Sequence, residues 1–445
     1  MKGKRFVIVL MLVFALLIQI GCAKTAESKP SGTEAAEQTT GTITAATTET
    51  TPDVSTETKK LVFWDFHGGA EKDFFTNAVN EYNKLQNGVN IELVTVNQAD
   101  YTTTKLPTAF ANGEGPDIFF VEPGVFMKYA KTGVLGDLTS YFDPDVLADF
   151  QTTSIDAVKY QDKILAIPFE QELLGLYYNV DMLKAANVEV PKTWDELKAA
   201  AKKLNTDKVA GLVLPTDKGP YTNFNFFPFM WQAGADVLSE DGSKSVFDSP
   251  ASAKALDFFG SFFQDGTAPT KLQLGPWDIG NIGTGIAAMQ VMGTWGINDI
   301  ETKYKDVNIG LAPLPYPADG KPATVAGGQK LAFNAKGNNA KESAEFVMWM
   351  FGGKDTTYAS KWVTEAKFAY PPRKSVVEAN KELYTKGLRK VYTEQIYDSA
   401  IPELRLPAEI GDILGDTLQS VMFDKVPGEK AAKEASDKME AALNK

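Results

Sequence analysis

The chain is poor in the side chains on which covalent and metal chemistry usually rest. It has one histidine, His67, and one cysteine, Cys22, in 445 residues. A single histidine excludes a multi-histidine zinc site and an H-E-x-x-H motif. A single cysteine excludes an internal disulfide and a cysteine-rich metal site. Basic charge is also short, with 45 Lys and Arg against 57 Asp and Glu and a formal net charge of −12. An acidic body disfavours nucleic acid and anionic lipid surfaces as partners and says nothing against a neutral ligand. No G-x-S-x-G elbow is present. Residues 280–285 read GNIGTG, which fails the dinucleotide pattern, and Gly352-Gly353-Lys354 lacks the P-loop spacing. No cofactor and no metal are therefore expected, and no repeat of fixed period is visible.

What the chain does have begins with a targeting segment. Lys2, Lys4 and Arg5 form a positive region ahead of an apolar run from Phe6 to Ile18. That run is short for a membrane span and suits the core of a signal peptide over residues 1–21. Cys22, preceded by Gly21, resembles the lipidated cysteine of a bacterial lipobox, although Gln19 stands where an aliphatic residue is usual. The alternative is a plain secretory signal cleaved nearby. Residues 22–59 are rich in Thr, Ala and Glu and nearly devoid of apolar side chains. Such a segment cannot offset its ordering entropy and is expected to be a disordered tether, with an end-to-end distance of about 35 Å.

From Lys60 onward the pattern is globular, and its length exceeds what one core supports, so two domains are expected. Residues 61–64 (LVFW) read as a buried strand. Phe75, Ala78, Val79, Tyr82 and Leu85 share a helix face, stopped by Asn87-Gly88. Val89, Ile91 and Leu93 alternate as a strand, residues 101–111 read as a helix, and residues 117–121 as a strand. This alternation predicts a doubly wound α/β body. Ligands sit beyond the carboxyl ends of such strands, which puts Trp64 to Gly69 and Glu122 to Gly124 on a candidate rim. Pro168 should not lie inside a strand. Just after it come Glu170 and Glu172, then an apolar strand, Leu173 to Tyr178. This is either a crossing between two compact bodies or a surface loop before a core strand. Beyond it the alternation restarts. Thr193 to Glu196 forms a capping box, residues 209–214 read as a strand, and Asp241-Gly242 reads as a hairpin turn. Residues 307–311 and 329–334 read as strands. The last third is helical, with Ile410, Leu414, Leu418 and Val421 on one face and Ala432, Ala435, Met439 and Leu443 on another.

Aromatic side chains concentrate near expected loops. Residues 221–231 read YTNFNFFPFMW, and Trp295 lies in a glycine-flanked turn, GTWG. Aromatic faces with a few acids and amides suit a sugar, whose C–H face packs on the ring while its hydroxyls bond to the polar groups. For most of the 221–231 aromatics, core packing is the competing explanation. The functional reading is favoured for Trp64 and Trp295, at expected turns. Glu170 and Glu172 could suggest a glycosidase, but acid pairs are common in any chain and this one carries little weight.

Five stretches carry a family resemblance: LVFWDFHGG at 61–69, GEGPDIFFVEPGVFMKYAKTGVLGDLTSYF at 113–142, IPFEQELLGLYYNVDMLKAANVEVPKTWDEL at 167–197, GIAAMQVMGTWG at 285–296 and AGGQKLAFNAKGNNAKESAEFVMWMF at 326–351. In this order and spacing the chain resembles the family 1 extracellular solute-binding proteins, the lipoprotein receptors of bacterial ABC sugar importers, of which maltose-binding protein is a distant member. The resemblance implies an α/β, two-lobed periplasmic-binding-protein-like fold with a hinge of three crossovers. It places lobe one at 60–169 and 312–372, and lobe two at 173–308 and 375–445. It implies a monomer that is not an enzyme, is held outside the cytoplasm on the cell membrane through a lipid anchor at Cys22, and partners a carbohydrate ligand and ABC permease subunits. Ligand positions carry over to Trp64, Asp65 and His67, to Glu122, to Glu172 at the hinge, and to Phe224 and Asn225 in the aromatic loop. They also fall on Trp295, Gly327 and Gly328. Gly411 stands where an aromatic is frequent, so a contact from this region is expected from Arg405 instead. Two other readings remain: a receptor of the same fold for a non-sugar solute such as a phosphorylated glycerol or a polyamine, and a surface glycosidase.

Overall fold

The structure, a computed structural model, describes residues 58–86 and 88–444. The signal segment, Cys22, Asn87 and all but the last two residues of the expected tether lie outside the described residues.

Strands β1 (Lys59–Asp65), β2 (Val89–Thr95) and β3 (Ile118–Val121) run parallel, with β1 between the other two. The connections are helical, through α1 (Gly69–Leu85) and a run made of Gln98–Asp100, Tyr101–Lys105 and Leu106–Ala111. Helix α2 (Pro123–Thr132) follows β3 at once. Leu61 and Phe63 on β1 are fully buried, and α1 covers them with Phe74, Phe75, Ala78 and Val79. The rings of Phe63 and Phe75 meet edge to face at 5.8 Å. All four residues of β3 are buried, as a central strand covered on both faces requires. The sheet is completed by β4 (Ile167–Pro168), which holds Pro168 at an edge where no ladder donor is needed, and by a later strand inserted antiparallel between β3 and β4.

After β4 the chain enters a second, antiparallel sheet. Its centre is β5 (Leu174–Asn179), flanked by β6 (Met289–Gly293) and β7 (Ile309–Ala312). Helix α3 (Trp194–Leu204) opens with the expected capping box between Thr193 and Glu196. Helices α4 (Pro220–Gln232) and α5 (Pro250–Gln264) follow, and α6 (Gly296–Thr302) comes after β6. The short strand β8 (Thr324–Ala326) pairs with β10 (Ala400–Pro402), while β9 (Lys330–Phe333) is the strand inserted into the first sheet. Helix α7 (Ala340–Val347) packs with the first sheet; α8 (Ala408–Phe423) and α9 (Gly428–Leu443) pack with the second. Leu314, Ala323 and Val325 also lie in the second core.

Two sequence expectations change. The 221–231 aromatics form a helix, α4, not a loop. Pro220 presets its first turn. Thr222 to Gln232 are all buried, and this burial overrides the cost of Pro228 inside the helix. Core packing thus explains Phe226, Phe227 and Phe229. Residues 209–214 make only two isolated bridges, Ala210 to Ala287 and Val213 to Gln290. Gly211 is pressed onto α3, where a Cβ would lie 2.0 Å from the Ala201 carbonyl oxygen, so the chain is pinned to the helix instead of extending along the sheet.

Candidate functional site

The carboxyl ends of β1 and β3, the segment around Glu172, and the starts of α4 and α6 line a cleft of about 440 Å³. At the end of β1, Asp65 is fully buried. Its Oδ1 accepts from the backbone N–H of His67 at 3.1 Å and lies 2.6 Å from His67 Nδ1. Asp65 therefore sets the ring, and Nε2 lies 3.5 Å from Glu71 Oε2 at the start of α1. His67 and Glu71 both line the cleft. Burial raises the Glu71 carboxyl above its ordinary range, with the Lys367 charge opposing.

Glu122 caps β3 and precedes the proline that starts α2. Its Oε1 accepts from Gln329 Nε2 at 3.1 Å, and burial, opposed by that bond, raises its pKa. Across the cleft, Glu403 follows β10 and has a carboxyl pushed up to about 8 by burial, with the Glu122 charge adding and Lys330 opposing.

The segment after Pro168 sorts its two acids. Glu170 is fully buried and accepts from the Gln329 N–H at 2.8 Å and from Trp362 Nε1 at 3.0 Å. Glu172 lines the cleft and forms an ion pair with Lys367. Lys367 Nζ also lies 3.2 Å from Glu170 Oε2 and 3.8 Å from Glu71 Oε2. Burial alone would push the Lys367 ammonium down; Glu170, Glu172 and Glu71 together hold it above its usual range. Burial lifts Glu172 to about 7, against the pull of Lys367. Gly328 has φ +104, and a Cβ there would sit 2.9 Å from the Glu170 carbonyl oxygen, so only glycine fits.

The opposite wall is aromatic. Tyr221 and Phe224 come from the first turns of α4, Trp277 from the preceding loop of the second sheet, and Trp295 from the turn into α6. The Tyr221 ring lies 5.9 Å from Trp277, 6.2 Å from Trp295 and 6.3 Å from Phe224. Trp295 Nε1 donates to the Trp277 carbonyl at 2.9 Å, which locks the two tryptophans together. Asn298, Asp299 and Lys303 on or just after α6 complete this side.

Of the expected residues, the structure brings His67, Glu122, Glu172, Phe224, Trp295 and Gly328 to the cleft. Trp64 does not line it. It alternates with the fully buried Phe63 and Asp65 along β1 and packs on the first core. Asp65 stands behind His67. Asn225 is fully buried and donates to the Tyr221 carbonyl one turn back. Gly327 exchanges backbone bonds with Glu172 and lies against Phe224. Arg405 is elsewhere: Nη1 donates to the Lys159 carbonyl at 2.8 Å, and the guanidinium lies over Phe126. The cleft residues that were missed include Tyr221, Trp277, Gln329, Lys367 and Glu403. Trp277 had a signal, since it sits in GPWDIG, a glycine-proline turn like that of Trp295. Lys367 and Glu403 had none, because the carboxyls they meet in the cleft, Glu172 and Glu122, lie far away in the chain. Among the described residues, no group of three or more His, Cys, Asp and Glu side chains is placed to hold a metal ion.

The family model described as bacterial extracellular solute-binding protein matches residues 68–355. The maltotriose-binding protein of Pyrococcus abyssi (strain GE5 / Orsay) is 28% identical over 298 residues, covering 65% of this chain and 62% of the relative. The chain thus matches under two thirds of that relative's length. The GacH receptor of Streptomyces glaucescens, solved unliganded and with acarbose, superposes with a TM-score of 0.74 at 24% identity, covering 87% of this chain and 99% of that one. UgpB from Mycobacterium tuberculosis, solved with glycerophosphocholine, gives 0.73 at 19% identity over 87% and 99%. At such identities the likeness shows the fold alone, α/β and of the two-lobed solute-binding type.

Proposed function

The chain belongs to the bacterial extracellular solute-binding protein family, and on that premise we propose that it is the substrate-binding receptor of a bacterial ABC importer, capturing a sugar or oligosaccharide between two closing lobes and delivering it to the membrane permease. The observation that carries this is the facing of two walls across one cleft. Four aromatic rings, Tyr221, Phe224, Trp277 and Trp295, stand on one side, and Glu122, Glu172, Gln329 and His67 on the other. A pyranose offers an apolar face to the rings and hydroxyls to the carboxyl and amide groups. Glu170 supports capture over hydrolysis, because its carboxylate is held inside by Trp362 and the Gln329 backbone and does not share the cleft with Glu172.

In this reading one lobe carries the five-stranded sheet and the other the three-stranded sheet. The chain crosses between them at Phe169 to Leu173, at Gly327 to Gln329, and within Lys367 to Tyr384, where Phe368, Tyr370 and Tyr384 pack with the three-stranded sheet and Val376 with the first core. The packing of Leu314, Ala323 and Val325 with the second core supports a second crossing later than residue 312. The family is extracellular, which puts the chain outside the cytoplasm. Anchoring through a lipid on Cys22 is part of the proposal, supported by the basic and apolar residues ahead of it. A monomer suffices, since one chain supplies both walls.

One observation favours a second reading. Six acids line the cleft, Glu71, Glu122, Glu172, Asp278, Asp299 and Glu403, against Lys303 and Lys367, and both lysines are paired. That balance disfavours a phosphorylated glycerol and suits a cationic solute such as a polyamine. A thermal-shift panel of mono- and oligosaccharides, spermidine and glycerol 3-phosphate decides between them, because a ligand of the native state raises the midpoint by mass action. Sugars are expected to raise it. A response to spermidine alone replaces the sugar reading, and release of shorter sugars from an oligosaccharide would restore the glycosidase.

A further inference from the structure

Residues 403–406 read ELRL and join β10 to α8, between Pro402 and Pro407. Their side chains sort by alternation, as those of an extended segment do. Leu404 and Leu406 pack with the second core. Glu403 and Arg405 reach the other way, onto the half built on the first sheet. The segment is a strap laid between the two halves, apolar toward one and charged toward the other.

Both charged residues grip helix α2. The Glu403 carboxyl accepts from the Gly124 N–H in the first turn, where helix N–H groups lack partners within the helix. Two glycines leave room for that carboxyl. A Cβ on Gly124 would lie 3.2 Å from Glu403 Oε1, and one on Gly327 would lie 2.8 Å from Oε2. Neither glycine has a positive φ, so neither is required by its own backbone. The Arg405 guanidinium lies 5.9 Å from the centre of the Phe126 ring on the same helix, within cation–π range. Its Nη1 donates to the Lys159 carbonyl at 2.8 Å. Phe126 and Val158, beside Lys159, both belong to the first core. At the strap's other footing, the Glu403 N–H donates to the Ala326 carbonyl of β8 at 3.0 Å.

Arg405 does not line the cleft. The halves it joins nevertheless also touch across the cleft. Asn298 Nδ2 on α6 donates to the Ala366 carbonyl at 3.4 Å, and both residues are part of the lining. The strap and that contact belong to one arrangement, in which the acidic wall faces the aromatic one. Moving α2 away from the strap costs the Arg405 bond and the Glu403 bond together.

We propose that residues 403–406 are a clasp that holds the two halves in this facing arrangement, and that Arg405 is a positioning residue that raises ligand affinity without touching the ligand. The inference rests on the reading of the cleft as one that closes on its ligand. Apparent affinity scales with the fraction of molecules already in the binding arrangement. A clasp therefore multiplies the affinity of every ligand by the same factor.

The test is small-angle scattering and calorimetric titration of the full chain and of Arg405→Ala, with maltose and maltotriose as ligands. Without sugar, Arg405→Ala is expected to have a larger radius of gyration than the parent; with sugar bound, the two should match. Affinity should fall about tenfold, the equivalent of one hydrogen bond to a charged group, and by the same factor for both sugars. Arg405→Lys keeps a cation beside Phe126 but loses the fork, and should recover part of both effects. Gly124→Ala is the second variant if Arg405→Ala does not fold. Alanine is the better helix former, but its Cβ meets the Glu403 carboxyl and Pro220, so the sugar-free protein should again expand. Equal radii for the sugar-free parent and variants, or losses that differ between the two sugars, overturn the clasp and leave the sugar reading intact. If neither sugar binds the parent, the sugar reading fails, and the sugar-free radii alone decide the clasp.

Discussion

Glu170 and Glu172, two residues apart on one extended segment, converge on the same cation, Lys367. Residues two apart in an extended segment share a face, yet Glu170 is fully buried against Trp362 and the Gln329 N–H while Glu172 lines the cleft. The pair predicts a split between binding and stability. Glu172→Gln keeps the shape but loses a charged acceptor, and should weaken sugar binding by about 1.5–3 kcal/mol, the range for hydrogen bonds to charged groups. Glu170→Gln should leave affinity near the parent value. It should lower stability by about 1–3 kcal/mol, because a neutral amide cannot serve Trp362, the Gln329 N–H and Lys367 together. Calorimetry and denaturant unfolding of both variants separate the two roles. The reverse pattern would remove Glu172 from the ligand site.

The two tryptophans offer a finer test. The Trp295 indole N–H holds the Trp277 carbonyl, so Trp295→Ala removes a stacking face and also loosens the loop that presents the other. Trp277→Ala removes only its own face, because the carbonyl stays. Each should weaken sugar binding by about 1–3 kcal/mol, the scale of losing a large apolar contact. The Trp295 variant should be the weaker of the two. Trp295→Phe, which keeps a ring but not the donor, should fall between parent and alanine. Equal affinities for the parent and both alanine variants would mean the rings are packing and not a platform.

The sequence made the first sheet legible because its strands and helices are local and their periods are clean. Phe75, Ala78 and Val79 repeat at helical spacing, and residues 118–121 are wholly apolar. The first cleft residues followed from the ends of those strands. The chain misled where tertiary burial overrode local signals. Pro228 reads as a break, yet it sits in a helix buried on every side. Gly211 interrupts what composition alone reads as a strand. Lys367 and Glu403 were illegible for another reason. Their partners, Glu172 and Glu122, come from distant parts of the chain, and nothing adjacent to 367 or 403 marks them. Trp64 failed by one residue of alternation: it follows Phe63 into the sheet, and the cleft begins only at Phe66 and His67.

Anchoring is tested apart from binding. Cys22 is the only cysteine, so Cys22→Ser removes the only thiol that could carry a lipid. The variant is expected to move from the membrane fraction to the soluble extracytoplasmic fraction, with sugar affinity unchanged. Retention on the membrane would show that the signal segment itself, or a partner, holds the chain there.

The buried carboxyls give the chain a pH dependence whose sign can be worked out. Glu403 rises from its ordinary 4.5 to about 8, through burial first and the Glu122 charge second. Glu172 rises to about 7, again through burial, with Lys367 opposing. Between about pH 4.5 and 8 the folded chain therefore holds protons on these groups that the unfolded chain has released. Stability changes with pH in proportion to protons bound by the unfolded state minus those bound by the folded state, which is negative in this window. Stability should fall as the pH rises through it, by at most about 1.4 kcal/mol per pH unit for each such proton. Below the window both states are protonated and this contribution is flat. Carboxyls held low act in the opposite sense: Asp149, which burial would raise but Ser375 and Arg373 hold below its usual range, destabilises the fold only when protonated near pH 4 and below. Glu403→Gln carries no titrating proton and fills the same space. Its thermal midpoint should depend less on pH between 5 and 8.5 than that of the parent, and should exceed it at pH 8. If parent and variant fall equally steeply, Glu403 is ionised throughout this range, and it lines the cleft as a carboxylate, not as a carboxylic acid.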